Sequence, residues 1–225
     1  PMVILIGQVA RDQEYREAFQ EIDYRQFYGA LCKWVGQIER AERIPEMVSK
    51  AFYHAMSGRP GPVALALPED MLRELTDVGD AERYKTVRPG VEPADVEKMQ
   101  AMIASAERPL VIVGGGGWTE AACADITDYT TANELPVAAS FRCQDIIDNN
   151  RDCYVGELGT SVNPALAERV KEADLLLVVG ARLGEMTTSG YSLISAPRPK
   201  QKLIHIYSDP DELGRVYQPD LPIAA

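Results

Sequence analysis

Four consecutive glycines, Gly114 to Gly117, stand after the apolar run Val111-Ile112-Val113 and just ahead of a helical pattern that opens at Thr119. A strand that runs through glycines into a helix can do chemistry with anions. Without Cβ atoms the backbone approaches a ligand closely, and the free N–H groups and dipole of the helix N-terminus favour a negative group such as a diphosphate. The spacing departs from the G-x-G-x-x-G dinucleotide fingerprint, because the sixth position is Thr119 counted from Gly114 and Glu120 counted from Gly115. Nor does an acid close the next strand, where Ser140-Phe141-Arg142 stand. Two readings stay open: a diphosphate cradle, or a tight strand-to-helix turn that holds nothing.

A second candidate is Gly180-Ala181-Arg182, which closes the apolar run that ends at Val179. Ligands of open parallel sheets sit beyond the carboxyl ends of strands, and an arginine there can clamp phosphate. The plainer reading is a solvated arginine on a loop. His205 alternates with Leu203 and Tyr207 on one strand face and reads as a packed, structural histidine. Ser57, Ser140 and Ser161 lack a nucleophile elbow, and no G-x-x-x-x-G-K-[ST] string occurs. Two histidines and four cysteines without C-x-x-C spacing do not make a zinc site. On spacing alone the residues reach a nucleotide-binding α/β module of unstated use.

The elements that must position these residues follow from hydrophobic pattern. Met2 to Ile6 reads as a strand buried on both faces. Arg11 to Arg25 is rich in helix formers. Ile44 to Met56 is a clearer helix, with Pro45 in its first turn, Gly58 closing it, and an inward face of Ile44, Val48, Ala51, Phe52 and Ala55. Ser57 to Pro62 is a turn, and Val63 to Leu67 is a strand stopped by Pro68. Leu72 to Pro93 is polar, broken by glycine and proline, and without apolar periodicity, so a linker is expected at 76–92. Beyond it helices are predicted over about 93–106, 119–133 and 164–172, and strands over 109–113, 135–139, 174–180 and 203–207. Alternating strands and helices with apolar strands predict an α/β fold: a partial parallel-sheet domain, then a Rossmann-like doubly wound domain.

Composition narrows the class. The 225 residues are 46% hydrophobic and 25% charged, enough for a packed core and far from collagen-like, mucin-like or disordered chains. Lys and Arg number 23 against 34 Asp and Glu, a net charge of −11, so phosphate backbones and anionic lipid surfaces repel the chain and nucleic acid is not an expected partner. No stretch approaches the roughly 20 apolar residues of a membrane span. Pro-Met-Val-Ile-Leu-Ile-Gly at the start has no basic region and no cleavage site, so no signal peptide is expected. Cys32, Cys123, Cys143 and Cys153 read as reduced, small buried hydrophobes, and the expected location is cytoplasmic.

Several strings resemble the thiamine-diphosphate-dependent enzymes of the acetolactate (acetohydroxyacid) synthase type. They are Gly7-Gln8-Val9, Ala18-Phe19-Gln20-Glu21, Ser57-Gly58-Arg59-Pro60-Gly61-Pro62-Val63 and Leu67-Pro68, and their order and spacing both fit. The resemblance continues through Pro109 to Gly116, Ala173-Asp174 to Arg182, and Ile204-His205-Ile206 to Pro210.

The resemblance implies that residues 1–75 are the C-terminal half of a pyrimidine-binding domain. It implies that residues 93–225 are a central Rossmann-like nucleotide-binding domain, truncated at its C-terminus. The implied activity is decarboxylation of a 2-oxo acid with transfer or release of the acyl carbanion equivalent, the work of a transferase or lyase. Thiamine diphosphate and Mg²⁺ would be held mostly by parts outside this sequence, so no catalytic or metal residue is expected here and this chain alone is expected to be inactive. By resemblance, Phe19 and Gln20 lie near the thiamine site at a dimer interface. Arg59, Gly114, Gly115, Gly116 and Arg182 face an FAD or ADP-type nucleotide, and the enzyme is a homodimer or homotetramer.

Four positions depart from the family pattern. L-P-K-D reads Leu67-Pro68-Glu69-Asp70, and the acid after I-H-I is Tyr207. G-x-H-G reads Gly159-Thr160-Ser161-Val162, and Gly184-Glu185 replace the acidic pair after G-A-R. A non-catalytic nucleotide-binding module is the rival expectation.

Overall fold

A computed structural model describes residues 1–87 and 89–225, which divide into two compact units, residues 1–88 and 89–225. Among the described residues the α/β fold expected from sequence is present, and every paired strand runs parallel.

In the first unit β1 (Met2–Gln8), β2 (Trp34–Gln37) and β3 (Pro62–Pro68) form a sheet of order β1-β3-β2. The central strand β3 buries Val63, Ala64, Leu65 and Ala66 because it has a neighbour on each edge and helix α2 (Ile44–Met56) against it. β1 was expected to be buried on both faces and is not. Among the described residues it pairs with β3 alone, and Met2 and Leu5 are 60% and 61% exposed. Helix α2 has the predicted limits, with Pro45 in its first turn and Gly58 beyond its end at φ 54°. Its inward face is largely the expected one: Ala51 and Ala55 are buried and Ile44 and Val48 pack against the same core, while Phe52 is exposed and Met47 is buried in addition.

Residues 11–25 do not form the helix their composition suggests. A single 3-10 turn at Arg11–Gln13 is followed by irregular chain, and α1 covers only Tyr24–Tyr28. Tyr15, Glu17 and Gln20 take left-handed backbone angles, and the Glu21 carboxylate accepts from the backbone N–H of Tyr15 and Ala18. Side chains that bond local backbone groups compete with the helix, and with Tyr15 and Phe19 exposed no apolar face exists to offset the loss.

The second unit holds α3 (Pro93–Ala104), β4 (Pro109–Val113), α4 (Glu120–Ala132), β5 (Val137–Ser140), β6 (Tyr154–Leu158), α5 (Pro164–Glu172), β7 (Leu175–Val179), β8 (Lys202–Tyr207) and β9 (Leu221–Ala224). Its sheet runs β6-β5-β4-β7-β8-β9. Alternate strand residues feed two cores. Leu110, Ile112, Leu176, Val178 and Leu203 pack with Leu166 and Val170 of α5 on one face. Val111, Val113, Leu175, Leu177 and Ile204 pack with residues of α3 and α4 on the other. Strands covered on both sides must be apolar at every position, which is why their sequences show no alternation.

β6 and β9 escaped the sequence reading. Both are sheet edges, one interrupted by Gly156 and the other by Pro222, residues that weaken a strand pattern but are tolerated at an edge.

Candidate functional site

The strand order of the second unit creates its site. From β4 the chain adds β5 and β6 on one side, then crosses to place β7, β8 and β9 on the other. In such a sheet the crevice lies beyond the carboxyl ends of the two strands where the order reverses, here β4 and β7. β4 leads into Gly114 to Gly117 and β7 into Gly180-Ala181-Arg182, and the fold sets the two turns side by side, Gly114 and Gly115 against Gly180 and Ala181.

The glycines there do different things. A Cβ on Gly114 would lie 1.9 Å from Ser140 Oγ and 3.0 Å from the Ala181 Cβ. Gly115 has φ 76°, and a Cβ on it would lie 2.0 Å from the Gly180 carbonyl oxygen. Gly180 has φ 67°, with the Gly114 oxygen 2.6 Å from its own missing Cβ. These three let two turns interlock, and the Trp118 indole N–H closes them by donating to the Gly114 carbonyl at 2.8 Å. Gly116 has nothing within 4 Å of a Cβ. Of the three predicted glycines, it is the one with open space beside it. Helix α4 starts at Glu120, capped by Thr119 Oγ1, which accepts from the Ala122 N–H at 3.2 Å.

Arg182 is not a lone loop arginine. Its Nε–H donates to Glu212 Oε1 at 2.8 Å, and the Glu212 side chain is only 8% exposed. That bond raises the guanidinium pKa and holds the charge in place. Glu212 escaped the sequence reading. The signal was the acidic run Asp209-Pro210-Asp211-Glu212 directly after β8, at the sheet end where ligand loops converge. His205 is packed as expected. It is 3% exposed, burial lowers its pKa, and the neutral ring donates from Nε2 to the Ala181 carbonyl at 3.0 Å, steadying the turn that carries Arg182.

The first unit has its own polar cavity of about 260 Å³ beside β1 and β2. Gln8, Glu14, Tyr15, Glu21, Gln37 and Glu39 contribute to its walls. Gln37 Nε2 donates to Glu14 at 2.6 Å and to Glu39 at 2.9 Å, while Gln8 Nε2 donates to the Ile22 carbonyl at 2.8 Å. The Tyr15 N–H leads the bonds that pull the Glu21 carboxyl below its usual range. A cavity walled by carboxylates accepts hydrogen bonds and attracts cations, and it repels phosphate. Phe19, 89% exposed, and Gln20, at φ 69°, sit on the same loop as Tyr15 and Glu21 but do not line it. Arg59 is exposed on the turn after α2. Beside the cavity Arg11 ties Asp70 and Glu74 to the Glu39 carbonyl, and Glu69 pairs with Arg73.

Residues 96–225 match the family model described as the thiamine pyrophosphate enzyme central domain. The chain belongs to that family. The match covers most of the second unit. Similar curated proteins include the probable acetolactate synthase large subunit of Methanocaldococcus jannaschii, 31% identical over 99% of this chain and 38% of its own length. The acetolactate synthase isozyme 2 large subunit of Escherichia coli is 31% identical over 97% of this chain and 39% of its own. The chain thus spans about two-fifths of the length of these relatives. Among the described residues no group of three or more His, Cys, Asp or Glu could hold a metal ion, and no helix is long and apolar enough to cross a membrane. The four cysteines are free thiols, half-buried rather than fully buried as expected.

Proposed function

We propose that this chain is part of a thiamine-diphosphate-dependent, acetolactate synthase-like enzyme that decarboxylates a 2-oxo acid and transfers or releases the acyl carbanion equivalent. The observation that carries the reading is the end-to-end similarity, 31% over 99% of the chain, to a probable acetolactate synthase large subunit. When bound, thiamine diphosphate supplies the carbanion that attacks the 2-oxo carbonyl. The donor set of the first-unit cavity suits one end of that cofactor: its carboxylates and the Gln8 and Gln37 amides can accept from an aminopyrimidine. The same acids oppose a diphosphate, so that end and its Mg²⁺ belong to other parts of the enzyme. Phe19 and Gln20, on the cavity's outer loop, would face a second copy in a homodimer or homotetramer.

The second unit would take a nucleotide diphosphate, FAD or an ADP-type ligand. Gly116 offers an unobstructed backbone approach and Arg182 a charged fork. Glu120, an anion at the start of α4, opposes a ligand of high charge and weakens this site against an ideal glycine cradle.

Carbon dioxide release from pyruvate, with thiamine diphosphate and Mg²⁺, tests the enzyme reading in two proteins. The 225-residue chain should release none above a buffer control. The longer protein that includes this chain, extended to the length of its relatives, should release it. A longer protein inert toward pyruvate and other 2-oxo acids, yet still binding nucleotide, would favour the non-catalytic module.

A further inference from the structure

We infer that Glu212 is a positioning residue for the nucleotide crevice: it holds Arg182 through Nε so that the two terminal guanidinium nitrogens are presented to a ligand diphosphate. The inference rests on the nucleotide reading of the second unit and adds a residue to it. Three observations carry it. The first is geometry: Arg182 Nε lies 2.8 Å from Glu212 Oε1, and Arg182 makes no hydrogen bond from its terminal nitrogens among the described residues. A guanidinium carries five N–H donors in a rigid plane, so one bond at Nε leaves both terminal groups aimed as a fork, the shape that meets phosphate with two parallel bonds. The second is burial. The Arg182 side chain is 37% exposed and that of Glu212 8%, so the acid is anchored within the unit while the base reaches the surface. The third is local support. Glu212 ends the short turn Pro210–Glu212 directly after β8, a turn capped by Asp209, whose side chain accepts from the Asp211 N–H at 3.1 Å. Arg215, 3.9 Å from the second Glu212 oxygen, adds a weaker counter-charge.

An arginine on a flexible loop would lose side-chain freedom on gripping a ligand; one already held by a buried acid has lost it beforehand. Glu212 thus acts through Arg182 and needs no contact with the ligand.

ADP is the probe, titrated by calorimetry into the full chain and four variants. Arg182→Ala should weaken ADP roughly tenfold or more, the loss of one charge-assisted pair. Glu212→Ala should weaken it comparably. The double variant Arg182→Ala/Glu212→Ala should bind within about twofold of Arg182→Ala alone, because the acid has nothing left to position. Glu212→Gln keeps a carbonyl acceptor for Nε–H and should stay near the parent, which also keeps the test decisive if the alanine variant folds poorly. A ligand-free readout accompanies these: the Arg182 Nε–H proton should be protected from exchange by NMR in the parent and in Glu212→Gln, and unprotected in Glu212→Ala.

A further loss from Glu212→Ala in the Arg182→Ala background would overturn the inference, since the acid would then act on ligand or fold by itself. So would Glu212→Gln binding as poorly as Glu212→Ala while its Nε–H stays protected. If ADP binds but Arg182→Ala is silent, the positioning role falls and the nucleotide site stands. If ADP does not bind the parent and Nε–H is protected, the nucleotide reading falls with it, and the pair is only a structural link.

Discussion

Replacing Gly115 by alanine separates the two reasons a glycine turn can exist, internal packing and ligand approach. The native φ of 76° is left-handed, which costs an L-residue about 1–2 kcal/mol. The new Cβ would lie 2.0 Å from the Gly180 carbonyl oxygen, whereas ordinary contact begins near 3.4 Å, so the turns after β4 and β7 must part by more than an ångström. Both clashing partners are backbone, and no rotamer change relieves them. Parting the turns strains the Gly114 N–H bond to the Val179 carbonyl, worth about 1 kcal/mol. The sum is about 2–3 kcal/mol, a fall of roughly 7–10 °C in the melting temperature of a unit this size. Gly116→Ala is the control: nothing lies within 4 Å of its Cβ, so stability should change by no more than about 0.5 kcal/mol. Differential scanning calorimetry of both variants, without ligand, measures the difference directly. Equal melting of the Gly115→Ala protein and its parent would refute the interlocked turns, and with them the division of labour among the four glycines.

Thr119→Ala removes the side-chain cap of α4 and should destabilise the second unit by about 1 kcal/mol in a urea titration, with Thr119→Ser close to the parent. Asp70 and Glu74 have lowered pKa values, Asp70 chiefly through the Arg11 backbone N–H and Glu74 chiefly through the Arg11 side chain. The unfolded chain therefore takes up protons first, so this stabilisation is present above about pH 4 and lost as pH falls through the folded values; Arg11→Ala should flatten the acid dependence of the urea midpoint, mainly at Glu74. Burial lowers the His205 pKa, so below about pH 6.5 the unfolded chain binds the proton more readily and stability falls with pH. Imidazole NMR should find the His205 midpoint below that of an ordinary histidine, and a midpoint at or above 6.5 would contradict its burial against Ala181.

The second unit was the more legible because its strands are covered on both faces. Continuous apolar runs such as Leu175–Val179 leave few alternatives, and capping residues mark where α4 and α5 begin. The first unit misled where local polar bonding replaced a helix, at residues 11–25, and where an edge position exposed a strand that reads as buried. The candidate site was legible in its backbone and not in its partners. Glycine and arginine at strand ends are sequence features. The acid that holds Arg182 lies 30 residues further on and reaches it only because β8 lies beside β7 in the sheet.

Local pattern by itself determined the types of the main helices and of the strands covered on both faces, the parallel α/β class and the position of the glycine turn. Each depends on the periodicity of neighbouring residues and on the conformations that glycine and proline allow or forbid. The order of strands across the sheet belonged to the tertiary structure alone, and with it the neighbouring of the β4 and β7 ends. So did the use of Gly114, Gly115 and Gly180 to let two turns touch, and the pairing of Arg182 with Glu212. All of these depend on which strand ends become neighbours, a choice made by burial summed over the whole unit rather than by any short run of residues.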